Sequence, residues 1–259
     1  MSKVKPSAYH IVIPARFASE RLPGKVLLDL AGQPVLQRVW QRACDSAAES
    51  VVIATDDERI VDAASAFGAQ VVMTSADHQS GSDRIAECAV KLGWPDDHLV
   101  VNLQGDEPLM PSSCLDQVAA LLDQRPDCEV ASLYWPISEA EEVQNPNAVK
   151  VVTDLKDRAL YFSRSPVPYA RSYTSISEAI AGGVVWKRHL GLYAYRLAAL
   201  RRYTACPPTA LEISERLEQL RIMEQGGRIA MAEACEFIPA GVDTLEDLER
   251  ARKIIKLQY

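Results

Sequence analysis

The sequence predicts an α/β fold: a mixed, mostly parallel central sheet flanked by helices. Three observations predict it. Short β-branched runs alternate with amphipathic stretches of 10–15 residues through the first half of the chain, the pattern of strand–helix–strand units with right-handed crossovers. Four polar clusters, PARFASERLPGK, TDDE, HQSGSDR and QGDEP, each follow a predicted strand and so gather at one edge of the sheet, where ligands of such sheets lie. The 259 residues, 48% of them hydrophobic, are enough to bury a large core.

Taken in order, Ile11, Val12 and Ile13 form the first buried strand, which Pro14 is expected to end because it has no N–H to donate. The loop after it carries Arg16, Arg21 and Lys25 and a Pro23-Gly24 turn. Pro34 stands in the first turn of a helix with Val35, Leu36, Val39, Trp40 and Ala43 on one face. Ser50–Ala54 is the second strand, and Asp56 or Asp57 caps a helix that stops at Gly68. Gln70–Thr74 is the third strand, and Ser75–Gly81 leads into a helix ended by Gly93. Leu99–Leu103 is the fourth strand, and Ser112 or Ser113 caps the helix beyond QGDEP. Further on, Val130–Trp135 reads as a strand, and Ala148–Thr153 and Ala159–Ser163 as a hairpin. Residues 164–187, broken by Pro166, Pro168 and Gly182-Gly183, read as a long loop. His189–Tyr195 and Arg228–Glu233 read as strands, and Thr209–Glu224 as one polar helix. Thr244 to Asp247 is a capping-box signature for the last helix. With no flexible linker, residues 1–259 form a single domain, in which 130–200 contribute a substrate-side and association subdomain.

Composition removes several functions. A net charge of −7 disfavours a nucleic-acid binder, whose phosphate contacts need a basic excess. The six cysteines form no C-x-x-C pair, and with no apolar leader in MSKVKPSAYH they read as reduced cytosolic thiols. No apolar run approaches the roughly 20 residues of a membrane span. P-loop, dinucleotide-binding and nucleophile-elbow motifs are absent, and the four histidines lack metal spacing.

What remains is anion binding beside carboxylates. Three cations within ten residues, directly after a buried strand, suit a triphosphate, although a solvated basic loop has the same composition. Asp106, at the end of a strand behind Gly105, and Asp243, before the last helix, are the carboxylates placed for a magnesium ion. Asp106 also fits a turn cap, and Asp243 fits a residue stabilised by the following helix's dipole.

The segments PARFASERLPGK, ATDDERI, ADHQSGSDR, NLQGDEP, NPNAVKVV, ALYFSR, RHLGLYAYR, LEQLR and GVDTLEDLE resemble, in order, those of 3-deoxy-manno-octulosonate (KDO) cytidylyltransferases, over residues 9–252. The resemblance implies a nucleotidyltransferase fold similar to glycosyltransferase A folds, with a small sugar-binding and dimerisation subdomain. It implies a cytoplasmic homodimer that uses magnesium and joins CTP to an acidic eight-carbon sugar for lipopolysaccharide synthesis. By position it makes Arg16, Lys25, Asp106 and Asp243 catalytic, with Asp106 and Asp243 on the metal. Ala15, Arg16, Arg21, Lys25, Ser80, Gly81 and Gln104 become nucleotide contacts. Gln104, Arg164, His189, Tyr193, Glu218 and Gln219 become sugar contacts. The residues by themselves leave plainer readings open: His189 and Tyr193 also fit strand packing, and Glu218 and Gln219 a solvated helix face. Ser82 in the SGSDR loop and Ala210 before Leu211-Glu212 are departures from the family pattern. Sialic acid, an amino analogue of KDO, or a non-catalytic nucleotide-binding module are the alternatives.

Overall fold

Strand β1 (Tyr9–Ala15) is the hinge of the architecture: every one of its residues is buried, and it is flanked on both sides by strands parallel to it. The computed structural model describes residues 8–19, 21–78 and 80–258. Residues 1–7, Glu20 and Gln79 of the two loop motifs, and Tyr259 lie outside the described residues.

From β1 the chain enters the basic loop and a short 3₁₀ turn at Lys25–Leu27, then helix α1 (Val35–Cys44), β2 (Ser50–Thr55), α2 (Glu58–Ala66) and β3 (Gln70–Met73). Helix α3 (Gly81–Lys91) returns it to the other side of β1, where β4 (Leu99–Asn102) lies. Next come α4 (Ser112–Asp123), β5 (Val130–Ile137), α5 (Ala140–Gln144), and the hairpin of β6 (Lys150–Thr153) and β7 (Ala159–Ser163). The chain closes with α6 (Ile176–Ala181), β8 (Trp186–Arg196), α7 (Leu197–Thr204), α8 (Ala210–Glu215), α9 (Gln219–Glu224), β9 (Ile229–Glu233) and α10 (Leu245–Gln258).

The described sheet has nine strands. Its main path runs β3-β2-β1-β4-β8-β5-β9, with β6 joined to β8 and β7 to β6. β8 is antiparallel to both β4 and β5, so the sheet is mixed and mostly parallel, as the sequence predicts. Because β2 and β4 lie on opposite sides of β1, the strand order reverses there. A reversal opens a crevice at the carboxyl ends of β1 and β4. One apolar cluster packs α1, α4 and α10 against one face; another packs α3, α7 and α9 against the opposite face.

Several sequence expectations need correction. Pro14 does not end β1: Pro14 and Ala15 still pair with Ala54 and Thr55 of β2. The register with β4 stops at Val12, so beyond it the ladder has a partner on one side alone and a missing N–H is tolerated. Pro34 and Pro111, rather than residues inside the first turn or Ser112 or Ser113, occupy the N-cap positions of α1 and α4. Of the two candidate caps on α2, Asp57 is the one that accepts from Arg59 N. Residues 164–187 are not all loop: α6, capped by Ser175, sits within them, and its Ala179 is buried against Ile137, Val143 and Trp186. Thr209–Glu224 is two helices, α8 and α9, broken where Arg216 adopts a left-handed conformation with φ 52° and ψ 51°. Helix α7 lies where the sequence predicts no element.

Candidate active site

The crevice at the strand reversal is a cavity of about 470 Å³. Its floor is the end of β1 and the QGDEP turn. One wall is the start of α3, and the opposite wall is β8 with the break between α8 and α9. It gathers Ala15, Arg16, Lys25, Ser80, Gly81, Gln104, Asp106, His189, Tyr193, Glu218 and Gln219, eleven of the fourteen residues assigned from sequence. The other three are Arg21, Arg164 and Asp243.

Lys25 is positioned by Gly24, whose φ of 67° suits a residue without Cβ at the entry to the 3₁₀ turn. Its ammonium Nζ lies 2.5 Å from Asp106 Oδ2 and 2.8 Å from Asp243 Oδ1. Asp243 Oδ2 forms an ion pair with Arg21 at 2.8 Å, so Asp243 stands one contact from the cavity lining, through Lys25, and Arg21 two. Desolvation alone lowers the Lys25 pKa. The charges and hydrogen bonds of Asp106 and Asp243 outweigh it and hold the ammonium above its ordinary value. The two loops meet closely: Val242 N donates to Asp106 O at 2.8 Å, and a Cβ on Gly241 would lie 2.9 Å from that same oxygen. Gly241 is therefore glycine for space. Its neighbour Glu107 was not singled out from sequence. Burial first, then the charges of Asp106 and Asp243, push its carboxyl up to about 8, so it is largely protonated at neutral pH.

Ser80 caps α3 in a capping box with Asp83 and so fixes the first turn that faces the cavity. Arg84 on the same helix is buried and bonds Thr74 Oγ1 and, at 3.0 Å, Asp56 Oδ2. The TDDE cluster thus serves the frame: Asp56 holds Arg84, and Asp57 caps α2. Gln104 donates to Asn102 Oδ1 at 3.0 Å, which orients its amide at the cavity floor.

The β8 wall depends on a bulge. Against β5, Leu190 pairs Leu133 but Tyr193 pairs Ser132, so Gly191 and Leu192 are extra. Two extra residues preserve the alternation, and His189 and Tyr193 share a face, with ring centroids 5.3 Å apart. The Ser132 hydroxyl lies 3.0 and 2.9 Å from the Leu190 and Leu192 carbonyls and 3.1 Å from His189 Nε2. Desolvation pushes the His189 pKa down to about 3, so its imidazole is neutral. Beyond it Glu218 accepts from Ser82 Oγ at 3.4 Å, and its pKa is raised by desolvation and by Asp83 and Glu212. Gln219 is buried, and its Nε2 has no hydrogen-bond partner among the described residues. Such a buried, unpartnered donor costs free energy.

Arg164 is where the structure departs from the sequence-based assignment. It does not line the cavity. Its Nε donates to Glu215 O at 2.7 Å, Nη1 to Pro146 O at 2.9 Å and Nη2 to Arg216 O at 3.3 Å, while its backbone N–H donates to Glu215 Oε2. The guanidinium ties down the turn between α8 and α9 from behind. Arg216 on that turn lines the cavity, as do Ser82 and Tyr195. The sequence reading missed Arg216 and Tyr195 as site residues and named Ser82 only as a departure from pattern. A continuous helical pattern hides the break that presents Arg216.

Asp106 and Asp243 fit a hard divalent cation: both carboxylates already converge on one positive centre, the Lys25 ammonium. Among the described residues no group of three or more His, Cys, Asp or Glu side chains forms a self-sufficient metal site, so an ion here needs triphosphate oxygens and water to complete its shell.

A basic loop beyond the first strand, a helix start on the facing side and paired carboxylates at a strand reversal define a nucleotidyltransferase. The cytidylyltransferase family model matches residues 10–229. The 3-deoxy-manno-octulosonate cytidylyltransferase of Pseudomonas syringae pv. syringae (strain B728a) is 49% identical over 251 residues, covering 96% of this chain and 99% of that one. That of Thioalkalivibrio sulfidiphilus (strain HL-EbGR7) is 51% identical over 250 residues, with the same coverage. The solved structure of CMP:2-keto-3-deoxy-manno-octonic acid synthetase complexed with CTP superposes with a TM-score of 0.89 at 40% identity, covering 98% of this chain and all of that one. A cytidylyltransferase from Leptospira borgpetersenii, 19% identical with a TM-score of 0.62, shares the fold. The chain belongs to the cytidylyltransferase family and, within it, to the 3-deoxy-manno-octulosonate cytidylyltransferases.

Proposed function

We propose that this enzyme transfers CMP from CTP to KDO, releasing CMP-KDO and pyrophosphate. The observation that carries the reading is the two-ended cavity. Arg16 and Lys25 stand at one end, and a polar wall of His189, Tyr193, Glu218 and Gln219 stands at the other. The cationic end suits a triphosphate. The hydrogen-bonding end suits a polyhydroxylated sugar and rejects ligands that leave its donors unpaired. Membership of the KDO enzymes at about half identity supports the same substrates.

In this reading the start of α3, with Ser80 and Gly81, approaches the nucleoside, and Gln104 stands between nucleotide and sugar. Arg16, Arg21 and Lys25 offset the triphosphate's charge. As the sugar hydroxyl displaces pyrophosphate from the α-phosphorus, the same cations face the charge that gathers on the leaving group. Catalysis is mostly positioning and electrostatics. Asp106 and Asp243 would hold magnesium, which when bound would supply further charge neutralisation of the triphosphate. No general base stands out among the lining residues.

Two further parts of the reading concern the molecule's setting. The 130–200 region exposes Leu155, Leu160, Tyr169 and Val185, which supports its use as a homodimer surface; light scattering of the purified protein tests it. All six cysteines are free thiols, which supports a reducing, cytoplasmic setting. No helix among the described residues is long and apolar enough to cross a membrane.

The deciding experiment is pyrophosphate release from CTP with KDO or sialic acid, with and without magnesium. Release that needs both KDO and magnesium, with kcat/KM for KDO exceeding that for sialic acid by orders of magnitude, is expected. Equal use of the two sugars, or CTP binding without turnover, overturns it.

A further inference from the structure

We propose that Cys235 and Cys114 form a reversible oxidation site, an exposed thiol backed by a buried resolving thiol. The two Sγ atoms lie 3.8 Å apart although the residues are 121 positions apart in the chain. Cys235 is exposed and follows β9; Cys114 is buried in the first turn of α4. Bringing the sulfurs to a disulfide's ~2.05 Å takes a shift of under ~2 Å, within reach of side-chain rotation.

The surrounding bonds hold the two segments in register without a covalent link. Gln117 of α4 accepts from Cys235 N at 2.8 Å and donates to Glu233 O at 2.7 Å. Ser113 bonds Glu236, and Cys114 Sγ lies 3.7 Å from Glu236 O. Burial and the neighbouring Cys235 push the Cys114 thiol up to about 12, so Cys114 is a poor first nucleophile and is suited to the second step.

The chemistry with hydrogen peroxide as oxidant balances. The Cys235 thiolate sulfur attacks one peroxide oxygen, the O–O bond breaks, and water leaves after protonation, giving a sulfenic acid. Cys114 sulfur, losing its proton, then attacks the Cys235 sulfur and expels the sulfenic oxygen as a second water. Two thiols and one peroxide become one disulfide and two waters. The site needs neither substrate nor metal, and it stands or falls apart from the proposed transfer reaction.

The functional consequence follows from where Cys235 lies. It begins the segment that leads to Asp243, and the link ties that segment to α4 in the register it already holds. The linked enzyme therefore keeps its activity within about twofold and gains thermal stability, because closing a long loop restricts the unfolded chain.

The test is peroxide treatment of the purified full-length protein. Free thiols are titrated under denaturing conditions, followed by tryptic mapping and thermal melting with and without reductant. Wild type is expected to lose two of its six thiols, to yield one peptide pair joined through Cys114 and Cys235, and to melt about 5 °C or more higher. Reductant reverses all three changes. The Cys114→Ser variant is expected to stop at sulfenic acid on Cys235, trapped by dimedone, and to go on to sulfinic acid, which reductant does not reverse. Loss of thiols without a 114–235 link, or equal reversibility in Cys114→Ser and wild type, overturns the proposal.

Discussion

Lys25 is the residue on which the nucleotide end turns. In the ligand-free protein its ammonium occupies the point where Asp106 and Asp243 converge, so one positive charge already compensates two negative ones. Under the proposed function a triphosphate would offer the ammonium a competing anion, and the two carboxylates would then be open to a metal. Three predictions rest on that competition. Asp106→Asn is expected to nearly abolish CMP transfer while circular dichroism and melting stay close to wild type, because a neutral amide keeps the shape and loses the charge. Lys25→Met is expected to lower kcat/KM for CTP by at least ~30-fold, about 2 kcal/mol for a partly desolvated charge beside phosphate. Calorimetry of Lys25→Met with manganese and no nucleotide should show tighter binding than wild type, since the competing ammonium is gone. A change within threefold in kcat/KM would make Lys25 an ordinary surface cation. These residues were legible in the sequence because phosphate recognition needs a dense local signal, cations after a strand and a carboxylate after another. Glu107 was not: its shifted pKa depends on burial by Gly241 and on charges 136 positions away, which no local pattern carries.

The α8–α9 turn is the element that shapes the sugar end, and three interactions build it. Arg216 takes a left-handed backbone, a strained choice for a residue with a side chain. Arg164 holds the carbonyls of Glu215 and Arg216 from outside. Inside, Arg221 and Glu212 form a buried bidentate pair at 2.7 and 2.5 Å, with Arg221 also donating to Cys206 O. Breaking such a pair leaves a buried charge uncompensated, so Glu212→Ala is expected to cost about 3 kcal/mol or more and to lower Tm by about 6–12 °C. Arg164→Ala acts on the same turn at its exposed side. It should raise KM for KDO more than KM for CTP, because the turn carries Glu218 and Gln219 and not the basic loop. Initial-rate kinetics with each substrate varied separates these, and an unchanged KDO KM would show that Arg164 is dispensable to the wall. The sequence showed a helical pattern here and no stop signal, since neither Gly nor Pro marks the break. The break is imposed by tertiary contacts: the Arg221–Glu212 pair and the Arg164 clasp cannot be satisfied by a continuous helix. The capping box of α10, by contrast, is local and was readable from four residues.

At the scale of the molecule, the parallel pairing of the first four strands and the edge where the polar clusters gather followed from alternation alone, whereas their spatial order, the inversion of β8 and its two-residue bulge did not. That inversion is a matter of long-range pairing, which hydrophobic period does not encode. It places His189 in one wall of the cavity, and at the opposite end of the sheet a second histidine is buried in β1. His10 is stacked on Trp94 with centroids 4.1 Å apart and bonded at 2.8 Å to both Ser50 Oγ and His98 Nδ1. Its pKa is lowered, first by desolvation and then by His98, against a smaller opposing pull from Glu49. His189 is lowered to about 3 by desolvation. The unfolded chain binds a proton at each near pH 6.5, and the folded chain binds it only at lower pH. The folded state is therefore favoured fully above pH 6.5. Each histidine withdraws up to about 1.4 kcal/mol per unit as the pH falls from there toward its folded pKa. Chemical denaturation at pH 7.5, 6.5, 5.5 and 4.5 reads this loss against an opposing gain from Glu107, held up to about 8 in the folded state, and from Glu218, also raised, so the histidine contribution is taken from the comparison with a histidine variant. Carboxylates held low in the folded state, such as Glu87 at about 2, contribute to the loss only nearer pH 4. The His10→Gln variant, neutral throughout, should show a shallower slope between pH 6.5 and 5.5 than wild type, whatever its starting stability. Parallel slopes for the two proteins in that interval would mean that His10 takes up its proton in the folded state as readily as in the unfolded one.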